Sequence, residues 1–490
     1  MKLKRLNNGA ATNSTLLLVV KVITTVLGII VTKLLSVSFT LEEYGTYSQA
    51  ILVTSTATSL SIFGLTNAIN YFYNRTEDEV IQKKYTSTIF CIQYVAGFAV
   101  AFTIILLRTI IADYFGNPNL ERILFIVALT PFMTNLISMY QTLFVSIGEA
   151  KIIAARNFVI SVFRLIAVVI ACYFVNNIVV VLIAILLMDI AQVMYFLILF
   201  RKLRFPIRIK ESDLSIVKEI LSFSIPMAIY VLTNTLSRDI DKYVVSAFSN
   251  TETLAIYSNA AKILPFDLLT STLITVLIPI ITRLINQKKY NKAQDIFKLY
   301  LRMGYLLTCI FVGGSISLSR YVMLFLYDAK YLAGLSVFKI YLFIDMIRFA
   351  NVTTILSGSG KSKILMRISL ITLALNGIFN IFGYKLFGFV GPAIVTLVLT
   401  ILMTIMLLHF GAKEIQTTIV GLFDFKEIFI VGTEIIIVGV LVKFLASFLS
   451  ARNCPLFFLL LISYGLYLLI LFCINYKRIL NCFGRINTYK

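Results

Sequence analysis

The chain has 490 residues, 59% of them hydrophobic, a mean hydropathy of +0.93 and a net charge of +21. That hydropathy argues against an ordinary soluble domain or a disordered chain, and one histidine with six scattered cysteines argues against a metal centre or a disulfide framework. A charge of this size is found on nucleic-acid-binding proteins, but its placement along the chain points to another origin.

Fourteen long apolar stretches follow one another: 13–36, 46–72, 85–107, 122–147, 157–176, 178–200, 219–247, 254–282, 299–319, 336–357, 364–383, 389–409, 427–448 and 455–476. About 20 apolar residues in a helix cross ~30 Å of hydrocarbon. Lipid offers no hydrogen bonds, so the backbone must satisfy itself within each segment. Membrane strands would instead show alternating segments of about 10 residues. The fold class expected is an all-α membrane protein with about 14 transmembrane helices. The basic start "MKLKR" precedes a run of span length without a small-residue cleavage site, which reads as a retained signal anchor.

The connections carry the orientation. Both tails and every second connection together hold 29 of the 44 Lys and Arg residues, and the opposite connections hold 6. This asymmetry places both termini in the cytoplasm, and the membrane expected is the cytoplasmic (inner) one. It also accounts for most of the positive charge, so nucleic acid is not expected as a partner. His409 falls at a cytoplasmic helix end. With no Trp, the interfacial aromatic belt is expected to be Tyr, such as Tyr44, Tyr47, Tyr257, Tyr331 and Tyr384. No connection exceeds about 20 residues, too few for a soluble catalytic domain. "SGSGKS" at 357–362 imitates part of a phosphate-binding loop, but Ile355 stands where the pattern needs Gly, and a membrane helix precedes it in place of a strand. No enzyme activity, cofactor or metal is expected.

The chain repeats itself. "SFTLEEYGTYS" (38–48) aligns with "FSNTETLAIYS" (248–258) at an offset of 210, and "GEAKI" (148–152) aligns with "GKSKI" (360–364) at an offset of 212. Each offset spans six helices, an even number, so the copies share one orientation and form a parallel repeat. The expected organisation is an N-terminal six-helix lobe (1–210), a C-terminal six-helix lobe (211–412), and two further transmembrane helices with a cytoplasmic tail (413–490).

Several stretches carry a family resemblance: "LSVSFTLEEYGTYS", "FSIPMAIYVLTNTLSRDIDKYVVSAF", "LAIYSNAAKI", "FLYDAKYLAG" and "FGFVGPAIVT". In order and spacing the whole chain resembles the Wzx-type oligosaccharide flippases, within the superfamily that includes MATE exporters and lipid II flippases. The resemblance implies two lobes that alternate their opening. It implies movement of an undecaprenyl-pyrophosphate-linked oligosaccharide from the cytoplasmic to the outer leaflet during polysaccharide biosynthesis. The implied partners are that glycan lipid, the bilayer, and the polysaccharide polymerase and chain-length machinery. Rival readings are a MATE-type ion-coupled exporter of cationic compounds, a membrane glycan polymerase or ligase, and a structural member of an assembly complex. Short outer connections argue against the enzyme.

Such a cargo needs cations for its phosphates, and charges within the bilayer tend to face a cavity or a partner. Lys21, Arg164, Lys262 and Arg348 are the candidate cavity cations. Lys33, Lys339 and Lys443 lie near helix ends, where they can snorkel. Arg164 and Asp189 lie near mid-depth on consecutive helices and can pair instead. Asp345 and Arg348 are three apart and can meet on one helix face. In "SRDIDKYV", Arg238, Asp241 and Lys242 share a face. They form either a salt-bridge cluster or a gate that couples transport to an ion gradient, with Asp241 the first choice of carboxylate. Asp267 is the second, flanking Pro265 together with Lys262 on a span that proline can bend. Asn67, Asn70, Asn135, Asn376 and Asn380 can contact sugar hydroxyls or bond neighbouring helices.

Overall fold

Residues 2–147, 149–202, 209–267, 280–285, 287–350, 353–359 and 361–487 are described by a computed structural model. Among them the chain is helical throughout and contains no strand. Helix α1 (Lys2–Ser38) is followed by Thr40, which caps α2 (Leu41–Ser61). Thr40 Oγ1 accepts the Glu43 N–H at 3.2 Å, and Glu43 Oε2 accepts the Thr40 N–H at 2.9 Å. This reciprocal box satisfies two donors that a helix start leaves open. The polar sequence of α2 survives in lipid because its hydroxyls turn inward: Thr46, Ser48, Thr54, Thr58 and Ser61 each bond a carbonyl one turn back. Helix α3 (Leu65–Asn74) completes the second expected span after a break at Phe63 and Gly64, with φ of 45° and 66°. A Cβ at Gly64 would also lie 2.6 Å from the Ser224 carbonyl oxygen, so both conformation and space require glycine there.

Helix α4 (Glu79–Tyr114) is the third span, and α5 (Pro118–Val127) with α6 (Thr130–Ser146) the fourth. Helix α7 (Ala150–Ile170) runs into a π-turn at Ala171–Val175, and α8 (Ile178–Lys202) follows. Helix α9 (Val217–Phe248) contains Pro226, and α10 (Thr251–Ala260) follows Asn250, whose Oδ1 accepts the Thr253 N–H at 2.9 Å. Thr40 and Asn250, the two N-caps, stand at the repeat offset of 210.

The eighth span was expected as one helix over 254–282, and here the structure differs. Helix α10 stops at Ala260, residues 261–264 are irregular, and Pro265–Asp267 form a 3-10 turn. Proline has no N–H to give and clashes with the carbonyl four residues earlier, so the ladder ends before it. Residues 268–279 lie outside the described residues.

Helices α11 (Tyr290–Ser317), α12 (Ser319–Leu326) and α13 (Leu335–Ile347) follow. The tenth span is also interrupted: a 3-10 turn at Arg348–Ala350 separates α13 from α14 (Thr353–Gly358). Helices α15 (Ser362–Phe387) and α16 (Gly391–Glu414) form a hairpin. Their backbones meet so closely that a Cβ on Gly391 would stand 1.9 Å from the Gly383 carbonyl oxygen. Helix α15 begins 212 residues after α7, the offset of the second repeat landmark. Short α17 (Ile419–Leu422) leads to α18 (Phe425–Ala451) and α19 (Leu456–Asn487).

Among the described residues, 11 stretches are long and apolar enough to cross a membrane. One of them, Lys363–Glu414, is the α15–α16 pair and therefore two passes. The interrupted tenth span adds a thirteenth pass, and residues 268–279 of the expected eighth lie outside the described residues. Large apolar side chains such as Phe174 (81% exposed) and Phe429 (77%) face outward, as a lipid solvent requires.

The chain forms two compact units, Met1–Asp239 with Ser246–Ala255, and Ile240–Val245 with Ile256–Lys490. The core of the first is aromatic, with Phe72, Phe90, Tyr140, Phe144 and Phe196 packed among α3, α4, α6 and α8. Its α9 is pinned at its start. Glu219 accepts from Arg75 at 2.8 Å and from the Tyr85 hydroxyl at 2.7 Å, and Asp213 pairs with Lys84 at 2.5 Å. The Lys84 ammonium, with Ser215, holds the Asp213 carboxyl down at about 2. The core of the second unit joins α11, α18 and α19 through Phe297, Tyr305, Ile435 and Tyr467.

Candidate functional site

Three helical segments of the second unit converge on one carboxylate. Asp241, on α9, is 1% exposed. Its Oδ2 accepts the hydroxyl of Tyr257 on α10 at 2.8 Å and that of Tyr341 on α13, while its Oδ1 accepts the Lys242 N–H at 2.9 Å. A charge taken out of water in a membrane is costly, and donated hydrogen bonds are what make it tolerable. Tyr257 and Tyr331, expected in the interfacial belt, are instead fully buried, as is Tyr44 at 4%. A buried Tyr hydroxyl finds a partner inside, and for Tyr257 that partner is Asp241.

One turn beyond Tyr341 on α13 stands Asp345, also buried. Its Oδ2 accepts the Leu264 N–H at 3.1 Å. That donor belongs to the irregular segment after α10, where no helical ladder exists to take it, so Asp345 stabilises the break. Lys262 lies exposed within the same segment, and Arg348 opens the turn that ends α13. Tyr341, Asp345 and Arg348 thus follow one another along α13 and the turn that ends it, with Asp241 bonded to the first and the segment that carries Lys262 bonded to the second.

Arg238 is not part of this group. Its side chain is exposed on the stretch of α9 that belongs to the first unit, while Asp241 turns inward to its tyrosines. The shared face expected for Arg238, Asp241 and Lys242 is thus split by burial. Asp267 ends the 3-10 turn, and its side chain lies outside the described residues.

In the first unit, Lys21 on α1 faces a cavity of about 340 Å³ against Asn157 and Ser161 of α7. Arg164 lies one turn further along α7 and is exposed. Among the described residues it makes no ion pair with Asp189 within 4 Å. Asp189 accepts instead from Gln192 Nε2 at 3.0 Å, and Gln192 Oε1 accepts from Arg156 Nη1 at 2.7 Å. Arg156 is the buried cation here, its guanidinium 5.1 Å from the centre of the Phe196 ring. Sequence reading counted it as a loop residue because α7 begins at Ala150, seven residues before the expected span. The spacing of Asp189 and Gln192 on one face of α8 was the signal available. Asn135 bonds the Thr58 carbonyl at 3.0 Å and Ser61 at 2.7 Å, which ties α6 to α2.

A further polar network holds the last two helices to the second unit. Glu427 on α18, 7% exposed, accepts from Arg302 and from the Tyr305 hydroxyl of α11. Arg478 of α19 reaches Glu427 at 3.9 Å and Glu434 at 3.0 Å, and Asn475 donates to Glu434 at 2.9 Å.

A family profile described as "Polysaccharide biosynthesis protein" matches residues 10–285, more than half of the chain. The chain belongs to this family. No curated protein matches it by sequence. Among solved structures, this polysaccharide biosynthesis protein is similar to the lipid II flippase MurJ in an inward closed conformation. The TM-score is 0.73 and the identity 16%, over 95% of this chain and 100% of that one. It is also similar to a multidrug resistance MATE family transporter in an inward-facing conformation, with TM-score 0.68 and 12% identity over 80% and 94% of the two chains. A third similar structure is a MOP superfamily transporter from Pyrococcus furiosus, with TM-score 0.61 and 11% identity over 83% and 95%. At these identities the likeness is one of fold, and one fold can host several cargoes.

Proposed function

We propose that the protein is a flippase that moves an undecaprenyl-pyrophosphate-linked oligosaccharide from the cytoplasmic to the outer leaflet for polysaccharide biosynthesis. Membership of the polysaccharide biosynthesis family carries this reading. The lobes at 1–210 and 211–412 open alternately, and the helices of 413–490 accompany the second. Charge accessibility supports an anionic cargo. Lys21, Arg164 and Lys262 are exposed, whereas Asp241 and Asp345 are buried and hydrogen-bonded within the protein. The fold shared with a MATE transporter favours a second reading, export of small cationic compounds. That cargo needs accessible carboxylates, which the buried Asp241 and Asp345 do not supply.

The test is translocation of the lipid-linked glycan in proteoliposomes. Neutralising Arg164, Lys262 or Arg348 singly should slow it about tenfold or more, the cost of one charge-assisted hydrogen bond, while membrane insertion persists. If all three variants keep the wild-type rate, the cationic pathway is excluded. Transport of a cationic dye with no glycan movement would decide for the exporter.

Orientation is tested separately. Cysteine labelling should find positions 205, 290 and 485 on the cytoplasmic side of the inner membrane, and positions 42, 115 and 252 outside, as the basic asymmetry demands. External labelling at 290 overturns both the span count and the repeat. Polysaccharide polymerase and chain-length proteins are the partners this role would bring alongside, to be sought by cross-linking in membranes.

A further inference from the structure

A trough runs along one face of α11 in the second unit. At one end is a charged cavity of about 750 Å³, faced by Asp295, Lys298 and Arg302 of α11, Asp424 and Glu427 at the start of α18, and Arg485 near the end of α19. Tyr305 lines this cavity and also the next, an apolar one of about 610 Å³ between α11, α13 and α18. The apolar lining on α11 steps from Tyr305 through Cys309 and Gly313 to Ser317. At 1.5 Å per residue that is ~18 Å, comparable to the ~15 Å hydrocarbon depth of one leaflet. On the α18 wall, a Cβ added to Gly432 would meet nothing within 4 Å.

The charged end is balanced, with three basic and three acidic residues. Glu427 is engaged by Arg302 and Tyr305. Among the described residues, Asp295 and Lys298 make no ion pair within 4 Å. Asp424 caps α18, its Oδ1 accepting the Glu427 N–H at 3.1 Å. A pyrophosphate calls for a net positive pocket; a zwitterion calls for both signs side by side. The basic run at Lys288, Lys289 and Lys292 places this end at the surface expected to face the cytoplasm.

We propose that the trough holds one glycerophospholipid with a phosphoethanolamine headgroup, as a resident of the protein separate from its cargo. Lys298 and Arg485 take the phosphate, Asp295 and Asp424 take the ammonium, and one acyl chain lies beyond Tyr305. This holds whichever cargo the protein carries.

The test is native mass spectrometry of the purified, delipidated protein titrated with palmitoyl-oleoyl phosphatidylethanolamine or phosphatidylglycerol. Phosphatidylethanolamine should bind about tenfold more tightly. Asp295→Asn with Asp424→Asn should erase that preference, and Asn keeps the cap on α18 intact. Lys298→Gln, which leaves the cap untouched, should weaken both lipids. Gly432→Phe should lower binding of both at least tenfold, whereas Gly465→Phe, at another glycine with open space around it, should not. Equal affinity for the two lipids, or full binding by Gly432→Phe, overturns the proposal. Displacement of the bound phospholipid by a short polyprenyl pyrophosphate also overturns it, because the trough would then belong to a carried lipid.

Discussion

In proteoliposomes, Asp241→Asn is expected to abolish the response of translocation to an imposed sodium or proton gradient while cargo still binds. No nucleotide site is expected, so cycling has to draw on an ion gradient or on removal of the product outside. A buried intramembrane carboxylate is the natural place for a cation to act. Asp241 receives hydroxyl donors from two different helices, α10 and α13. Any change in its charge therefore alters the bonding of three helices at once. Asparagine keeps the shape but removes the charge, and its amide NH₂ faces either the two tyrosine hydroxyls or the Lys242 N–H, neither of which it can accept from. The mismatch should cost about 1–3 kcal/mol, because a buried donor then loses its acceptor. Tyr257→Phe and Tyr341→Phe each remove one donor and keep the carboxylate, so both should retain a gradient response. A wild-type gradient response in Asp241→Asn would make this residue structural and end the coupling proposal.

Glu427→Ala should destabilise the protein by about 3 kcal/mol, read as a lowered thermal unfolding midpoint in detergent micelles. Removing one partner of a buried ion pair costs roughly 3–5 kcal/mol, because the remaining charge is left uncompensated. The lower end applies here because Arg302 and Arg478 keep 31% and 26% side-chain exposure and can be partly hydrated. Arg478→Met should cost less, since Arg302 and Tyr305 still hold Glu427 and Asn475 still donates to Glu434. Glu427→Leu combined with Arg302→Met should recover much of the loss, because no charge is then stranded. A midpoint unchanged in Glu427→Ala would show that apolar packing alone attaches the last two helices.

The helices were legible because bilayer thickness imposes a length that composition displays directly. The first repeat landmark was legible because both its copies are helix starts, where capping chemistry is local: Thr40 and Asn250 need only neighbours three residues away. The break in the eighth span was announced by Pro265, although its position before the proline depends on the helical ladder rather than on the residue itself. The partners of Asp241 were not legible. Tyr257 and Tyr341 are two of 25 tyrosines, and in sequence a Tyr inside a span looks the same whether it anchors at the interface or donates to a buried acid. Arg156 was missed for a different reason. A helix end was placed a few residues late, and a cation just outside a span reads as an orientation signal rather than as an interior group. The alternative pairing of Arg164 with Asp189 followed depth alone, which says nothing about which way a side chain leaves its helix.

The early end of α10 also bears on the charge beside it. A helix that stops at Ala260 ends in carbonyls pointing along its axis, equivalent to roughly half a negative elementary charge. Lys262 is two residues past that point, its own N–H bonded to the Asn259 carbonyl at 3.3 Å. The side chain of Lys262 thus springs from the negative pole of α10, where the backbone dipoles favour a nearby cation. Were the eighth span one unbroken helix, this pole would move to the far end and leave Lys262 in mid-ladder. The break and the basic residue therefore act as a single electrostatic unit, with half of it written in the peptide dipoles.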